Sequence, residues 1–438
     1  MKQIQTVNII GGGLAGCEAT YQLAKRGIKV RLFEQKPLVF SPAHTNKNLA
    51  EIVCSNSLKS TDLSSASGML KAELELLDCK LLQIAKECSV PAGSALAVDR
   101  ELFSQKVTDL IASLTNVEII HQEVTKIDTS EPTIIATGPL TSGGLFEEIS
   151  KLLGDEHLYF YDASAPIIDG KTIDYTKTFS AGRYNKGDSD YINCPMNKEE
   201  YYNFVHELTN AKRAELHEFE NVKVFEGCMP VEMMASRGED TLRYGPLRPV
   251  GLFDKNGKRP FAVVQLRREN TDGETYNIVG FQTNLTFGEQ KRVFSMIPAL
   301  KNADFLKYGV MHRNSYICAP EHLSNNFYLK KYPNIYFAGQ ISGVEGYVES
   351  ITSGLVVGLS VANKLFGNAQ IDWPKETMIG AIINYLISAD AKNFQPMNAN
   401  FGILPPLEIE VHDKKERKLA YSKRGIEKLK QMLIAKNC

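Results

Sequence analysis

Residues 7–36, VNIIGGGLAGCEATYQLAKRGIKVRLFEQK, leave the chain few folds to choose from. The apolar run Val7 to Ile10 predicts a strand, Cys17 to Lys25 predicts a helix, and Val30 to Phe33 predicts a second strand ending at Glu34. Between the first strand and the helix, Gly11, Gly13 and Gly16 satisfy G-x-G-x-x-G, with Gly12, Leu14 and Ala15 as the intervening residues. Glycines there permit a tight turn and let backbone N–H groups meet a pyrophosphate at the start of the helix, where its dipole favours negative charge. Glu34 falls 18 residues after Gly16, where a carboxylate can accept hydrogen bonds from an adenosine ribose. The glycine spacing alone is common. The whole succession of strand, turn, helix, strand and acid points to a dinucleotide site.

Two later segments decide between dinucleotides. PTIIATGPL (residues 132–140) predicts a buried strand ending at Thr137 and Gly138, and NIYFAGQISGVEGYVESITSGLVVG (residues 334–358) predicts a strand, a glycine-rich turn and a helix of small residues. These pieces resemble the FAD-binding fold of the glutathione-reductase type, in which a late helix presents its N-terminus to the flavin end of the cofactor. The resemblance implies FAD contacts at Gly138, Gly339, Gln340, Gly343, Gly346 and Tyr347. A packing explanation competes with it, because Gly343, Gly346 and Gly354 could serve close helix approach instead.

A length of 438 residues with 43% hydrophobic and 23% charged side chains is ordinary for a protein of two or three domains. Alternating stretches such as FAVVQLRRE (residues 261–269) and TYNIVGFQT (residues 275–283) predict antiparallel strands that interrupt the nucleotide-binding fold. The expected fold class is therefore α/β: a Rossmann-type FAD domain over 1–165 and 305–372, an inserted α+β domain over 166–304, and a basic helical segment over 373–438. No run of eighteen apolar residues suggests a membrane span, and the strand-like start leaves no signal-peptide pattern, so a cytoplasmic setting is expected. From Lys414 to Cys438 nine Lys and Arg face two Glu, whereas the whole chain carries −1, so a basic tail rides on an acidic body. That asymmetry suits a polyanion partner, and equally a solvated amphipathic helix.

Eight cysteines never approach closer than nine residues, which excludes CxxC and zinc-finger spacing, and no metal site is expected. Most should be buried and inert. Two differ in their surroundings. Cys54, in EIVCSNSLKS, has Asn and Ser neighbours; Cys228, in EGCMPVEMMASRGEDTLRYGPLRPVGL, lies beside Gly and Pro and is followed by Arg237, Arg243 and Arg248. Nearby positive charge favours a thiolate. A disulfide oxidoreductase would hold its pair close in sequence, and these two lie 174 residues apart. Another chemistry suits them better: a thiolate adds to C6 of a uracil, C5 takes up a one-carbon unit, a base removes the C5 proton, and a reduced flavin supplies hydride.

These two stretches, with AGRYNKGDSDYINCPMNKEEY (residues 181–201) and AGQISGVEGYVESITSGLVVG (residues 338–358), closely resemble the TrmFO family over nearly the whole chain. These are folate- and FAD-dependent RNA (uracil-C5-)-methyltransferases. The resemblance implies 5,10-methylenetetrahydrofolate as carbon donor, FAD as carrier and hydride source, and NAD(P)H as reductant. It assigns Cys228 to attack on uracil C6 and Cys54 to the flavin side of the reaction. It makes His312, in YGVMHRNSYI, a candidate for stacking on the folate pterin, and it leaves Arg183, Lys186, Arg237, Arg243 and Arg248 as candidate RNA or folate contacts. The RNA partner is expected to be tRNA at its T-loop uridine, with 23S rRNA as the alternative. A GidA-type wobble-uridine flavoprotein or a small-molecule FAD oxidoreductase are further alternatives; the former is usually much longer at its C-terminal end.

Overall fold

The computed structural model describes residues 6–41, 43–141, 143–154, 158–182, 190–214, 229–254 and 256–436. Strand β1 (Thr6–Ile10), helix α1 (Leu14–Ala24) and strand β2 (Lys29–Glu34) realise the opening motif. The helix starts three residues before the predicted Cys17 because Gly13, with extended φ/ψ, already serves as its N-cap. β1 is the centre of an all-parallel five-stranded sheet. Its order is Ile335–Phe337, Thr133–Ile135, β1, β2 and Val117–His121. Parallel sheets are covered on both faces, and the near-continuous burial of β1 and Thr133–Ile135 follows from that.

The strand Ile335–Phe337 returns to this sheet some 200 residues after Thr133–Ile135. Between them lies a second sheet of six antiparallel-paired strands, ordered Phe179–Ser180, Tyr191–Met196, Ala262–Arg268, Thr275–Ile278, Ile167–Asp169 and Phe305–Lys307. The helices Lys198–Asn210 and Phe287–Phe294 cover it and share its own hydrophobic core with Tyr201, Phe204, Leu266, Phe281 and Phe294. A two-stranded ribbon, Leu158–Ala163 with Met311–Tyr316, joins the two bodies on the way out and back. The two strands read from alternation, Ala262–Arg268 and Thr275–Ile278, do pair antiparallel.

Past Trp373 the chain is less independent than a separate segment would be. Trp373, Met378, Ile382, Leu404 and Leu429 all belong to the core of the parallel-sheet body. Helix Met378–Ser388 and the 23-residue helix Lys414–Lys436 pack against the Ala66–Leu76 helix. Among the described residues, no helix is long and apolar enough to cross a membrane.

Candidate functional site

One cavity of about 400 Å³ runs along the C-terminal ends of the parallel strands, where ligands of open α/β sheets bind. Its floor is the glycine turn. Gly11 has φ +104°, and a Cβ there would stand 2.6 Å from the Ala136 carbonyl oxygen. At Gly16 a Cβ would meet the Gly11 carbonyl oxygen at 1.9 Å, so this residue closes the turn from behind and does not line the cavity. Gly11, Gly12, Gly13, Leu14 and Ala15 do line it.

Glu34 ends β2 at the same wall and is 7% exposed. Its Oε2 accepts the Gly12 N–H at 2.8 Å and its Oε1 the Lys36 N–H at 2.9 Å. Each oxygen keeps a further lone-pair site for a ribose hydroxyl. Turn, helix start and carboxylate therefore fit the pyrophosphate and ribose of a dinucleotide. Lys36 packs inward, donating to the carbonyls of Asn46 (3.1 Å) and Asn48 (2.6 Å) and to Glu51. It ties the loop carrying His44 to the end of β2. Burial first, and then the Lys36 ammonium, hold the His44 imidazole below its ordinary pKa, so the ring lines the cavity as a neutral group near pH 7.

At the far end the late turn arrives. Gly339 (φ +79°) and Gly346 (φ +110°) adopt conformations that L side chains rarely take, and Gly339, Gln340, Gly346 and Tyr347 line the cavity together with Gly138. Gly343 does not: a Cβ there would meet the Phe394 ring at 2.6 Å, so it serves contact with the C-terminal segment. Gly354 likewise belongs to packing, because its Cβ would fall 2.2 Å from the Ala15 carbonyl oxygen, where helix Tyr347–Phe366 crosses α1.

Cys54 lines this end of the cavity and is partly exposed, whereas Cys17, Cys79, Cys88 and Cys194 are buried. Burial pushes the Cys17, Cys79 and Cys194 thiols well up from their usual range, which leaves them inert. The Cys54 loop is held by its backbone. The Cys54 and Ser55 N–H groups donate to the Tyr347 phenol oxygen at 2.9 and 3.2 Å. Burial, and next the Cys54 sulfur, push that phenol well above its usual pKa.

The same loop is clamped from the inserted body. Arg267 donates from Nε to Asn56 Oδ1 and from Nη2 to Ser55 Oγ, both at 2.8 Å. Asn56 in turn donates to the carbonyls of Arg268 (2.9 Å) and Val98 (3.1 Å). Arg100 closes the ring, donating to the Ile52, Val53 and Cys54 carbonyls and pairing through Nε with Glu269 at 2.5 Å.

Cys228, Arg183 and Lys186 lie outside the described residues. Just past Cys228, the Val231 N–H donates to the carbonyl of Gln282, which lines the cavity, and buried Glu232 accepts from Asn284 N–H (2.7 Å) and Thr283 Oγ1 (2.9 Å). His312 sits in the strand Met311–Tyr316 opposite Asp162, two residues before the cavity-lining Asn314. The other three arginines do not line the cavity. Arg243 bonds Asp240 (3.0 Å) and the Phe261 carbonyl (3.1 Å) and lies 3.7 Å over the Phe261 ring, which is a structural role inside the inserted body. Arg237 and Arg248 are exposed.

Sequence reasoning missed several lining residues. Ser55, Ser57 and Lys59 lay within a stretch already singled out for Cys54, so its polar character was the available signal. Lys36 and His44 come from the stretch just after β2, Gln282 and Asn398 from two distant parts of the chain, and no local pattern brings these three places together. Among the described residues, no group of three or more His, Cys, Asp or Glu side chains is placed to hold a metal ion.

The family described as glucose inhibited division protein A matches residues 6–369. A protein of Acetivibrio thermocellus called methylenetetrahydrofolate–tRNA-(uracil-5-)-methyltransferase TrmFO is 54% identical over 429 residues, covering 98% of each chain. The protein of the same name from Ligilactobacillus salivarius is 52% identical, covering 97% of this chain and 98% of its own. Among solved structures, Aquifex aeolicus GidA in its form II crystal superposes with a TM-score of 0.68 at 15% identity, covering 98% of this chain and 73% of that one. At that identity the likeness shows the shared fold.

Proposed function

Because the chain belongs to the glucose inhibited division protein A family and, with it, to the TrmFO methyltransferases, we propose that it methylates C5 of a uridine in tRNA. The carbon donor is 5,10-methylenetetrahydrofolate, and NAD(P)H is the reductant. The glycine turn and Glu34 would hold FAD, which would supply the one-carbon carrier and hydride chemistry. The observation that carries the reading is the meeting of Cys54 with Tyr347 at the end of a dinucleotide cradle, on a loop clamped from a second body.

Within this reading the chain's own residues divide the work. Glycine-turn N–H groups and the start of α1 bind the pyrophosphate, and Glu34 orients the ribose. Cys54 stands at the flavin end of the cavity with its backbone fixed by Tyr347 and Arg100. Cys228 attacks uracil C6, following the family resemblance; Glu232 anchors the short helix that begins just after it. His312 is the folate-stacking side chain, and the T-loop uridine is the target. Arg183, Lys186, Arg237 and Arg248 remain candidates for RNA or folate contacts.

The test is a covalent trap. Transfer RNA transcribed with 5-fluorouracil should form a denaturant-stable complex in the presence of methylenetetrahydrofolate and NAD(P)H, and Cys228→Ala should abolish it. A trap that survives in Cys228→Ala refutes the nucleophile. Mapping 5-methyluridine in both RNA classes from cells lacking the gene separates the substrates: loss confined to 23S rRNA overturns the tRNA assignment.

A further inference from the structure

The helix Lys414–Lys436 is seated firmly on one side and bare on the other. Its inner face holds Ser422, Gly425 and Leu429, all buried. Ser422 Oγ donates to the Leu63 carbonyl at 2.6 Å, Arg424 donates to the carbonyls of Pro405 (2.6 Å) and Pro406 (2.7 Å), and the Tyr421 and Phe401 rings lie 5.8 Å apart. These contacts fix the helix as a rigid element.

Its outer surface carries Lys414, Lys415, Arg417, Lys423, Lys428 and Lys430, all exposed. None of the six is paired with a carboxylate among the described residues. Some surface lysines elsewhere do pair: Lys25 with Asp78, Lys86 with Glu75, Lys106 with Glu87, Lys126 with Glu148 and Lys171 with Glu274. Others, such as Lys29, Lys47, Lys198 and Lys301, are exposed with no carboxylate partner among the described residues, so what sets this helix apart is the clustering of its cations. From Lys414 to the end the balance is nine cations to two carboxylates, while the chain as a whole carries −1. An anionic polymer approaching this protein meets a body of net negative charge and a helix of net positive charge. At 23 residues the rod is about 35 Å long, enough to run beside several phosphates.

The rod also sits near the chemistry. Leu63, which receives the Ser422 hydrogen bond, is four residues beyond Lys59, a wall residue of the cavity. Four residues of chain span at most about 14 Å, so the seat of the helix lies within that distance of the site.

We propose that the solvent face of the Lys414–Lys436 helix docks the phosphate backbone of the RNA substrate. This rests on the RNA-methylating reading above. A seated helix needs no backbone ordering on binding, and the counterions its cations displace drive association. Phosphate contacts of this kind carry no sequence information; they set how the RNA lies, leaving choice of uridine to the cavity.

The experiment is the triple variant Lys423→Gln/Lys428→Gln/Lys430→Gln, with flavin absorbance and thermal midpoint as controls for folding. Binding to an unmodified tRNA transcript should weaken at least about tenfold near physiological salt, and KM for tRNA should rise with it. The slope of log K against log salt should fall by about 2 to 3, at roughly 0.7–0.9 per lost phosphate contact. If the wild type binds and methylates tRNA and the triple variant matches it in affinity and slope, the docking face is refuted while the function stands. If the wild type neither binds nor methylates tRNA, both fall. Loss of binding to vesicles rich in anionic lipid, with tRNA affinity kept, overturns the proposal in favour of a membrane surface.

Discussion

Asn56 and Arg267 allow the clamp on the Cys54 loop to be measured. Replacing Asn56 by Ala removes two neutral donations, to Val98 and Arg268, and the acceptance from Arg267 Nε. At about 1 kcal/mol for each neutral bond and roughly 1.5–3 kcal/mol for the charge-assisted one, the loss is about 3.5–5 kcal/mol. Arg267→Met breaks two bonds from a guanidinium that is only 7% exposed, and yet should cost less. Burial already holds that guanidinium below its usual pKa, and a Met of similar length removes the charge that had to be desolvated. The net is about 1–2 kcal/mol, because breaking a buried polar pair from the uncharged side leaves a buried charge stranded, whereas removing the charge does not. The double variant should then fall short of additivity by about 1.5–3 kcal/mol. Urea unfolding of the four proteins gives these numbers, provided the m-values agree. Uridine methylation at saturating substrates should fall most in Asn56→Ala, with FAD still bound. If Arg267→Met proves the more damaging change, or the coupling is below about 0.5 kcal/mol, the clamp does not hold the loop.

Two further outcomes follow from buried positions. Gly354→Ala would drive a methyl group to 2.2 Å from the Ala15 carbonyl oxygen, forcing helix Tyr347–Phe366 away from α1. We expect about 1–3 kcal/mol lost in urea unfolding and weaker retention of FAD on dilution; unchanged stability would mean the helices have slack. Glu73 is fully buried with its oxygens on the Met378 and Ile379 N–H groups, and burial lifts its carboxyl from about 4.5 to about 8 despite those bonds. The folded chain therefore keeps a proton that the unfolded chain releases, so its share of stability is whole below about pH 4.5 and drains away as pH rises towards 8. Glu73→Gln should lower the thermal midpoint at pH 5, since the amide nitrogen cannot accept, and should flatten the decline between pH 5 and 8. Parallel curves for the two proteins would refute the assignment.

The first dinucleotide half was legible almost residue by residue, because its constraints are local. A turn with Gly11 at positive φ, a helix that begins at once and an acid at the next strand end can each be read within thirty residues. The late turn was legible only in part. The pattern around residue 340 announced the return of the chain, yet it could not say that Gly339 and Gly346 face the cavity while Gly343 faces Phe394. Which side a glycine presents depends on what packs against it, and Phe394 arrives from a segment fifty residues later. Arg243 shows the same limit from the other direction. Its position downstream of a thiol suggested an anion contact, and the Phe261 ring and Asp240 claim it instead.

The seam between the two bodies explains why distance in sequence costs the site little. Each body has its own apolar core, and the contact that positions Cys54 between them is built from Arg100, Glu269, Arg267, Asn56 and Ser55. An apolar seam of equal area would hold more tightly but tolerate small sliding, since burial is non-directional. Bonds of 2.8 Å from two nitrogens of one planar guanidinium to two consecutive residues admit a single register. On the proposed reading of Cys54, that directionality keeps the thiol in place, and a misplacement of about 1 Å at a reacting group can cost roughly a hundredfold in rate. Thus Arg267, anonymous in any local pattern, fixes the loop of a cysteine that its polar neighbours had already marked.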